Sequence, residues 1–492
     1  MSARQRPSPP QESRFSDDSK KQDQDKSDVG EDGGDRGGPP LPVGFWDHRL
    51  RHVRLEAFRK WGYTTIVLMA FILAVLSIYW ATFHHLPANI KKLVVYVVDM
   101  DGTGPYTASA TGHAPIVGPA ITKLATQMSQ QSVTLGYRIM SGEAFKNDPV
   151  QVRLAVYKQE AWASIVINPN ATALLYSTVQ TGNSSYDPLG ACQVTYVEAR
   201  DETTWHNYIQ PLLDQFIIQA TTTASRRWAS AALQNASDPA VLANLRAAPQ
   251  ALSPAIGFSR YNLRPFYPYV AEPTVTIALI YLIIISFFSF SFYLPIHLKY
   301  LKPEGHPPLR FWQLVIWRWC ATVAAYLFLS LAYSLISLAF QINFSGGNPV
   351  SSNVLSTNIS HGNPDAYGKG TFPVYWMLNF CGMAALGLAC ENVAMLIGQP
   401  WMGLWLIFWV ITNVSTAFYK IDTEPGFYRW GYAWPLHHVV EATRTILFDT
   451  YSNIGLNFGV LLAWAAVNTI LFPFMCYFMR YKTKKGLQLY WA

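Results

Sequence analysis

Long apolar segments alternate with polar segments along this chain of 492 residues. A transmembrane helix needs about 20 consecutive, mostly apolar residues. Six segments meet this requirement: 62–83, 274–297, 317–340, 374–398, 401–420 and 455–479. Only Gln399 and Pro400 separate the fourth segment from the fifth, which predicts a tight helical hairpin. The pattern therefore predicts a polytopic α-helical membrane protein with six transmembrane helices, one before a large polar insertion and five after it.

The insertion, residues 84–273, is long enough to fold around its own core. Apolar runs of the kind found in buried strands begin at LVVYVVDMDG and recur at 132–140 and 162–168. Helical patterns lie at 149–162 and 203–233. Strands that alternate with helices predict an α/β domain, and the topology argued below makes it extracytoplasmic.

Composition agrees with this fold class. Only 14% of the residues are charged and half are hydrophobic, whereas a soluble protein carries about 25% charged residues. Residues 1–44 are rich in Ser, Pro and Gly, so they are predicted to be a disordered cytoplasmic tail without a cleavable signal peptide. The five cysteines show neither a disulfide framework nor a metal-binding spacing. We therefore expect no metal and no cofactor.

The distribution of Lys and Arg predicts the orientation in the membrane. Five basic residues in the juxtamembrane segment 45–61 precede the first span, three separate the second span from the third, and four begin the basic tail 480–492. The loops 341–373 and 421–454 hold only three. Both termini are therefore predicted to be cytoplasmic. The location is predicted to be the plasma membrane, with an internal secretory membrane as the alternative.

Asn-x-Ser/Thr sequons give a second signal for the same orientation. Five of them fall in segments that this topology places outside the cytoplasm: Asn170, Asn183, Asn235, Asn343 and Asn358. A sixth, Asn413, falls inside the fifth predicted span, where we expect no glycan. The five outer sequons are predicted glycosylation sites.

The stretch VVYVVDMDGTG has the form of a haloacid-dehalogenase-type phosphatase motif, with Asp99 as nucleophile and Asp101 as general acid/base. Such an enzyme also needs a Ser or Thr, a Lys and a late acidic pair. Ser141, Lys158 and the pair Asp201 and Glu202 are the available nominees, each matched by a single residue type. The alternative is a buried strand that ends in an Asp-Gly turn, where Asp accepts backbone hydrogen bonds. We expect the structural role and no enzyme activity.

Two ionisable residues lie where a charge is costly, Arg318 at the start of the third span and Glu391 late in the fourth. A charge near the bilayer centre costs about 2.5–3.5 kcal/mol on insertion scales, so it usually faces protein or water. Both lie toward the predicted cytoplasmic side and are positioned to pair. For Arg318 the alternative is snorkelling to the interface. For Glu391 the alternatives are a structural pair and a lining position in a transport pathway.

The segment WPLHHVVEATRTILF precedes the last span and predicts an amphipathic helix that starts at Pro435. His437, Glu441 and Arg444 share one face at i, i+4 and i+7. Zinc binding by His437, His438 and Glu441 is a weaker alternative, because His-His-x-x-Glu is not the metalloprotease spacing. The expected state is a salt-bridged helix at the outer surface of the membrane.

Four stretches carry a resemblance to a known family: FWDHRLRHVRLEAFRKWGY, VVYVVDMDG, HAPIVGPAITKL and WPLHHVVEATRTILFDTYSNIGLNFGVLLAW. Over roughly residues 45–485 the chain resembles the fungal nitrosoguanidine-resistance family, which carries a DUF3533-type domain. It is more distantly similar to phage-infection-protein-like and ABC-2-type permeases, whose short helix before the final span matches the segment around Arg444. The resemblance implies resistance to nitrosoguanidine-type drugs through export or through lipid distribution between leaflets. It implies no catalytic residues.

The expected function is therefore permease-like export of a hydrophobic small molecule across the lipid bilayer. The pathway candidates are Arg318 and Glu391 on the inner side and His437, Glu441 and Arg444 on the outer side. No Gly-x-x-x-x-Gly-Lys-Ser/Thr loop occurs in the sequence, so an ATPase or pump partner and a homodimer are both considered, and no nucleic acid is expected. The alternatives are a non-transporting factor that regulates lipid distribution or a pump, and the phosphatase.

Overall fold

The computed structural model describes residues 42–234, 238–301, 305–342, 344, 367–398 and 401–485. The described residues divide into two units, with the boundary between Thr65 and Ile66. A 3-10 turn, His48–Leu50, leads into helix α1 (Arg51–Phe71), and Asp47 caps the turn by accepting a hydrogen bond from the Arg49 amide. Most of the predicted disordered tail and the last seven residues lie outside the described residues.

Within the second unit, a five-stranded sheet lies at the centre of the insertion. Its strands are β1 (Val94–Asp99), β2 (Gly136–Ser141), β3 (Ala163–Ile167), β4 (Cys192–Tyr196) and β5 (Phe258–Asn262). Their order is β2-β1-β3-β4-β5, with β1 parallel to β2 and β3, β4 antiparallel to β3, and β5 parallel to β4. The sheet is therefore mixed, and the carboxyl ends of β4 and β5 lie at the edge where β1 and β3 begin.

Helices cover both faces of this sheet. They are α2 (Val117–Ser129), α3 (Pro149–Tyr157), α4 (Ala171–Thr181), α5 (Gln210–Gln234) and α6 (Pro239–Ala247). Successive side chains of a strand point to opposite faces, so Val95 and Val97 pack with α2, α4 and α5, whereas Tyr96 and Val98 pack with α3. The sheet with these helices is called the α/β unit below.

Five helices of the described chain are long and apolar enough to cross a membrane. The first is the helical stretch His48–Phe83, which contains α1. The other four contain α7 (Ala278–Leu298), α8 (Phe311–Ala339), α9 (Thr371–Ile397) and α12 (Ile454–Lys484). The protein is therefore a multi-pass membrane protein. Helices α7 to α12, including the two introduced next, are called the helical unit.

The predicted fifth span, 401–420, is a shorter helix than expected. Helix α10 runs only from Met402 to Ser415, and 14 residues at 1.5 Å each extend about 21 Å, less than the about 30 Å of a hydrocarbon core. Near the end of α10, the side-chain oxygen of Asn413 accepts a hydrogen bond of 3.2 Å from the Leu436 amide. Leu436 lies at the start of helix α11 (Pro435–Phe448). The part of the chain that the structure describes thus holds five membrane-length helices and one short apolar helix in place of six spans.

Helix α9 lies at the centre of the helical unit and contacts α7, α8, α10, α11 and α12. Of its apolar segment 72% is buried inside the protein, against 39% or less in the other long helices. Glycine permits this close packing. A Cβ on Gly387 would lie 2.3 Å from the Tyr326 hydroxyl, and a Cβ on Gly382 would lie 2.8 Å from Val439 Cγ2.

Candidate functional site

Arg318 of α8 and Glu391 of α9 form a buried ion pair. Arg318 Nη2 lies 2.7 Å from Glu391 Oε1, and each side chain is only 3% exposed. Thr322, one turn along α8, donates a hydrogen bond of 3.3 Å to the other carboxylate oxygen. Of the two expectations for Arg318, the structure shows pairing inside the protein rather than snorkelling.

The surroundings of this pair are sulfur atoms and aromatic rings. Arg318 lies 3.5 Å from both Cys476 Sγ and Met395 Sδ, and its guanidinium is 5.4 Å from the centre of the Phe472 ring. Neither Arg318 nor Glu391 lines the two cavities described below. The arrangement fits a packed pair that joins α8 to α9 and α12.

Helix α11 is buried instead of lying at the surface. Twelve of its 14 residues are buried, and it packs against α9 and α12 of the helical unit. Its polar face is turned toward the α/β unit, where Arg444 Nη2 lies 3.2 Å from Glu202 Oε2 and Arg444 Nη1 lies 3.6 Å from Asp201 Oδ2. The expected surface helix is therefore a connection between two parts of the protein.

A second ion pair ties the end of α11 to the same part of the molecule. Arg264, which follows β5, lies 2.8 Å from Asp449 Oδ2, and both side chains are about nine-tenths buried. Arg264 also donates a hydrogen bond of 3.0 Å to the Asp449 carbonyl. Together with Arg444, it joins the edge of the sheet at which β1 begins to the helical unit.

Glu441 lies within a dense set of charges on α11. Its carboxylate is 2.5 Å from Lys420 Nζ and 3.5 Å from Arg444 Nη1. Burial acts to raise the pKa of Glu441, but Lys420 and Arg444 outweigh it and lower that pKa to about 2. Glu441 is therefore ionised at neutral pH.

His437 lies beside these charges and is neutral. Burial lowers the pKa of His437 to about 4. Its Nδ1 is 3.1 Å from the Thr416 carbonyl, which can only accept, so Nδ1 carries the proton. Both ring nitrogens of His438 also have partners, Asn457 Oδ1 at 3.0 Å and the Tyr432 carbonyl at 2.8 Å. Within the described residues no three His, Cys, Asp or Glu side chains are grouped to hold a metal.

A cavity of about 300 Å³ lies where the α/β unit meets α11 and α12. Its polar lining includes Arg200, Lys420, Asp422, His437, Glu441 and Asn457. Arg200 is held in place because its Nη1 donates a hydrogen bond of 2.9 Å to the Ala161 carbonyl and its guanidinium lies 3.8 Å from the Trp162 ring centre. The cavity thus brings together His437 and Glu441, which the sequence identifies as pathway candidates, and Arg200 and Lys420, which it does not.

A second cavity of about 200 Å³ adjoins the first, since Ile421, Asp422 and Tyr432 line both. It also contains Glu424, which is 1% exposed. Burial raises the pKa of Glu424 to about 9. Nothing in the sequence IDTEPGF marks this glutamate, because it reads as an ordinary polar turn before proline.

Asp101 of the phosphatase-like motif ties together two helix starts. Its Oδ2 accepts hydrogen bonds from the Gly118 amide at 3.0 Å and the Thr172 hydroxyl at 2.6 Å, and its Oδ1 accepts one from the Thr172 amide at 2.9 Å. The helix amides at such positions lack intrahelical partners. Asp101 therefore caps α2 and α4 together, which is the role expected of a structural Asp.

Asp99 packs beside this cap, directly against Gly118. Its Oδ1 accepts a hydrogen bond of 3.0 Å from the Asp101 amide, and a Cβ on Gly118 would lie 2.1 Å from the same oxygen. Burial raises the pKa of Asp99 to about 6. Asp99 and its strand neighbour Ser141 lie at the carboxyl edge of β1 and β2.

The other phosphatase nominees lie at the opposite edge of the sheet. Lys158 follows α3 and precedes β3, so it lies near the amino ends of β1 and β3. Asp201 and Glu202 follow the carboxyl end of β4, which is antiparallel to β3, and they bind Arg444. The residues nominated for that chemistry therefore do not converge.

Two of the predicted glycosylation sites fall in the described residues. Asn183 is exposed just after α4, whereas Asn170 is partly buried at the start of α4. Asn413 is fully buried in α10. The remaining three sequons lie outside the described residues: Asn235, Asn343 and Asn358.

Among the described residues, five membrane-length helices with an α/β unit inserted after the first define the class of protein, a multi-pass membrane protein. Residues 64–470 match the family described as "Protein of unknown function (DUF3533)", and the chain belongs to that family. An uncharacterized endoplasmic reticulum membrane protein of Saccharomyces cerevisiae is 25% identical over 467 residues, which cover 91% of this chain and 85% of the yeast protein. No solved structure matches the chain.

Proposed function

We propose that this protein is a permease-like membrane protein that exports small organic molecules and thereby confers resistance to nitrosoguanidine-type and other hydrophobic drugs. The observation that carries the proposal is the cavity of about 300 Å³, with charged residues in its lining, between the α/β unit and helices α11 and α12. Ligand sites prefer such clefts between structural units, and their volumes begin at about 300 Å³. This cavity together with its neighbour is large enough for a drug-sized molecule.

Two clusters of charged residues in the helical unit support a transport pathway, each of them closing one end of it. Arg318 and Glu391 close the packing between α8, α9 and α12. Glu441, Lys420 and Arg444 form the second charged cluster, at the junction with the α/β unit. Ionisable residues inside helical membrane units commonly mark substrate or ion pathways. In this proposal the first cluster separates the cavity from the opposite side of the membrane.

The proposal includes an orientation. The α/β unit is extracytoplasmic and both termini are cytoplasmic, as the distribution of Lys and Arg predicts. This orientation fits the plasma membrane and equally an internal secretory membrane, and the yeast relative carries an endoplasmic reticulum location in its name. Microscopy of the tagged protein beside markers of each membrane decides between them.

The alternative is a non-transporting factor that regulates lipid distribution or a partner pump, and the closed packing of Glu391 favours it. A carboxylate that is 3% exposed and paired fits a helix anchor. If Glu391→Gln abolishes resistance while a lesion in the α/β unit spares it, the helical unit performs the function. The opposite result favours the regulatory factor. A third proposal, the phosphatase, is eliminated if resistance persists in Asp99→Asn.

The direct test is net efflux of a labelled nitrosoguanidine-type compound from proteoliposomes that contain only this protein. ATP and ion gradients are imposed separately, and Glu441→Gln is compared with the control Glu143→Gln, an exposed glutamate after β2. We expect gradient-dependent efflux that Glu441→Gln reduces and Glu143→Gln leaves intact. Absence of efflux under every condition contradicts autonomous transport and directs attention to an ATPase, a pump or a second copy of the chain that co-purifies.

A further inference from the structure

Glu424 has a buried carboxyl group for which the described residues supply no partner. It lies in the turn after α10, is 1% exposed, and lines the cavity of about 200 Å³. Among the residues that the structure describes, neither of its carboxyl oxygens has a hydrogen-bond partner. Buried carboxylates are ordinarily paired or hydrogen-bonded, so this one is unusual in the molecule.

The charged groups around the same cavity do not neutralise Glu424. Lys92, Asp422 and Arg429 line it and are exposed. Lys92 Nζ donates a hydrogen bond of 3.3 Å to the backbone carbonyl of Glu424, and not to its carboxyl group. Among the described residues, the carboxyl group of Glu424 therefore has neither a hydrogen-bond partner nor a paired cation.

Three tyrosines also lie near Glu424. Tyr432 lines the cavity, and Tyr419 lies within electrostatic range of Glu424. Burial and then Glu424 raise the pKa of the Tyr428 hydroxyl to about 12. Aromatic rings beside a carboxylate are the surroundings in which proteins bind organic cations.

Burial without a cation favours the protonated form of the acid. Accordingly the pKa of Glu424 is raised to about 9, with burial as the cause. At neutral pH the carboxyl group holds its proton. A cation that enters the cavity supplies the missing counter-charge and makes the ionised form favourable.

We propose that Glu424 is an exchange site that holds either a proton or the positively charged group of a small organic cation. When the cation binds, the O–H bond of the carboxyl group breaks, the proton passes to solvent, and the carboxylate forms an ion pair with the cation. No electron transfer occurs, and one proton leaves for each cation bound. The inference rests on the proposed export function and names both its substrate class and its energy source, a proton gradient.

The adjoining cavity accommodates the remainder of such a ligand. The two cavities, of about 300 Å³ and about 200 Å³, share Ile421, Asp422 and Tyr432. A molecule whose charged nitrogen lies beside Glu424 can therefore extend toward His437 and Arg200. A ligand in which an ammonium group is joined to an aromatic ring fits the two cavities, with the ammonium group in the smaller one and the ring in the larger one.

The test uses the full chain, purified in detergent, with benzyltrimethylammonium as a cation that has no proton to release. Calorimetric titrations in buffers of different ionisation enthalpy count the protons released. We expect one proton per cation at pH 7, and affinity that increases about tenfold per pH unit up to about pH 9 and then levels off, as binding linked to one acid requires. Neopentylbenzene, the uncharged isostere, should bind without proton release.

Glu424→Gln, which has the shape of the protonated acid, should abolish cation binding and proton release. Glu424→Asp should keep proton release at weaker affinity, and the control Glu143→Gln should match the wild type. Cation binding without proton release, or undiminished cation binding by Glu424→Gln, overturns the inference.

Proteoliposome flux separates this inference from the proposed function. Proton-linked cation binding that Glu424→Gln abolishes, combined with no flux under an imposed pH gradient, supports the site and contradicts export. Flux of benzyltrimethylammonium that persists in Glu424→Gln contradicts the exchange site and leaves export standing. Flux that the pH gradient drives and Glu424→Gln abolishes supports both.

Discussion

Glu391→Gln should destabilise the helical unit by about 3 kcal/mol. The Glu391 carboxylate lies 2.7 Å from Arg318 Nη2, and both side chains are 3% exposed, so solvent does not screen the pair. Removing one charge from a buried pair costs about 3–5 kcal/mol, whereas an exposed pair contributes at most about 1 kcal/mol. Glutamine keeps the shape and one acceptor for the guanidinium, which places the expected loss near the lower bound.

Arg318→Met should cost less than Glu391→Gln, although each removes one half of the pair. A guanidinium left alone cannot lose its proton in a protein, whereas a carboxylate left alone can bind one. The double variant, Arg318→Met with Glu391→Leu, should recover most of the loss, because apolar side chains of similar volume often replace a buried ion pair without penalty.

The assay is reversible unfolding of the purified proteins by SDS in mixed micelles, with Glu143→Gln as the exposed control. A free energy of unfolding for Glu391→Gln within about 1 kcal/mol of the wild type refutes the reasoning, since that is the value of a solvated pair. If that variant also reaches the membrane normally and loses transport, Glu391 belongs to the pathway and its role is not structural.

Three further predictions concern packing, protonation and orientation. Gly387→Ala would place a Cβ 2.3 Å from the Tyr326 hydroxyl and should cost about 1–3 kcal/mol in the same SDS titration, whereas Gly403→Ala, with nothing within 4 Å, should cost nothing. The pKa of Asp99 is raised by burial to about 6 from 3.8, so its stabilising contribution is complete below pH 3.8 and is lost as the pH rises through about 6. The free energy of unfolding of the wild type minus that of Asp99→Asn should fall across this interval, and a constant difference contradicts the burial. Asn183→Gln should remove one endoglycosidase-sensitive increment in gel mobility, and unchanged mobility contradicts a glycan at this exposed site.

The strands of the α/β unit show what sequence patterns reveal. β1 and β3 are runs of buried, mostly β-branched residues, VVYVVD and ASIVI, which are typical of central strands. β4 and β5, CQVTY and FSRYN, mix polar and apolar residues over five positions each. They were not predicted, because the pairing that makes them strands comes from distant parts of the chain.

Helix α10 shows where hydropathy fails. The run 401–420 is apolar enough to span, but Thr412, Asn413 and Thr416 near its end are hydrogen-bonded to carbonyls of the preceding turn. Such side chains compete with the helical ladder, and the Asn413 oxygen caps the next helix at Leu436. A hydropathy scale averages over a window of residues, so it does not detect polar side chains whose hydrogen bonds inside the protein end the helix early.

The charged residues show the same limit at the candidate site. Spacing placed His437, Glu441 and Arg444 on one helical face, and the structure keeps them near one another. Besides Glu441, however, Arg444 binds Asp201 and Glu202, which lie more than 240 residues earlier in the chain. A local sequence pattern cannot predict contacts between residues so far apart in the chain. Arg318 and Glu391 were accessible to sequence reasoning because each is a charge in an apolar run, which leaves few possible partners.

Helix α11 is amphipathic, and each of its two faces contacts a different part of the protein. Its apolar face packs on α9 and α12, and its polar face binds the α/β unit through Arg444. Displacement of the α/β unit must therefore either break the bonds of Arg444 to Glu202 and of Arg264 to Asp449 or carry α11 with it. Because Glu441 of α11 lines the larger cavity, either event changes the shape of that cavity. An amphipathic pattern before a final span cannot distinguish this arrangement from a helix on the membrane surface, since both predict the same alternation of residues.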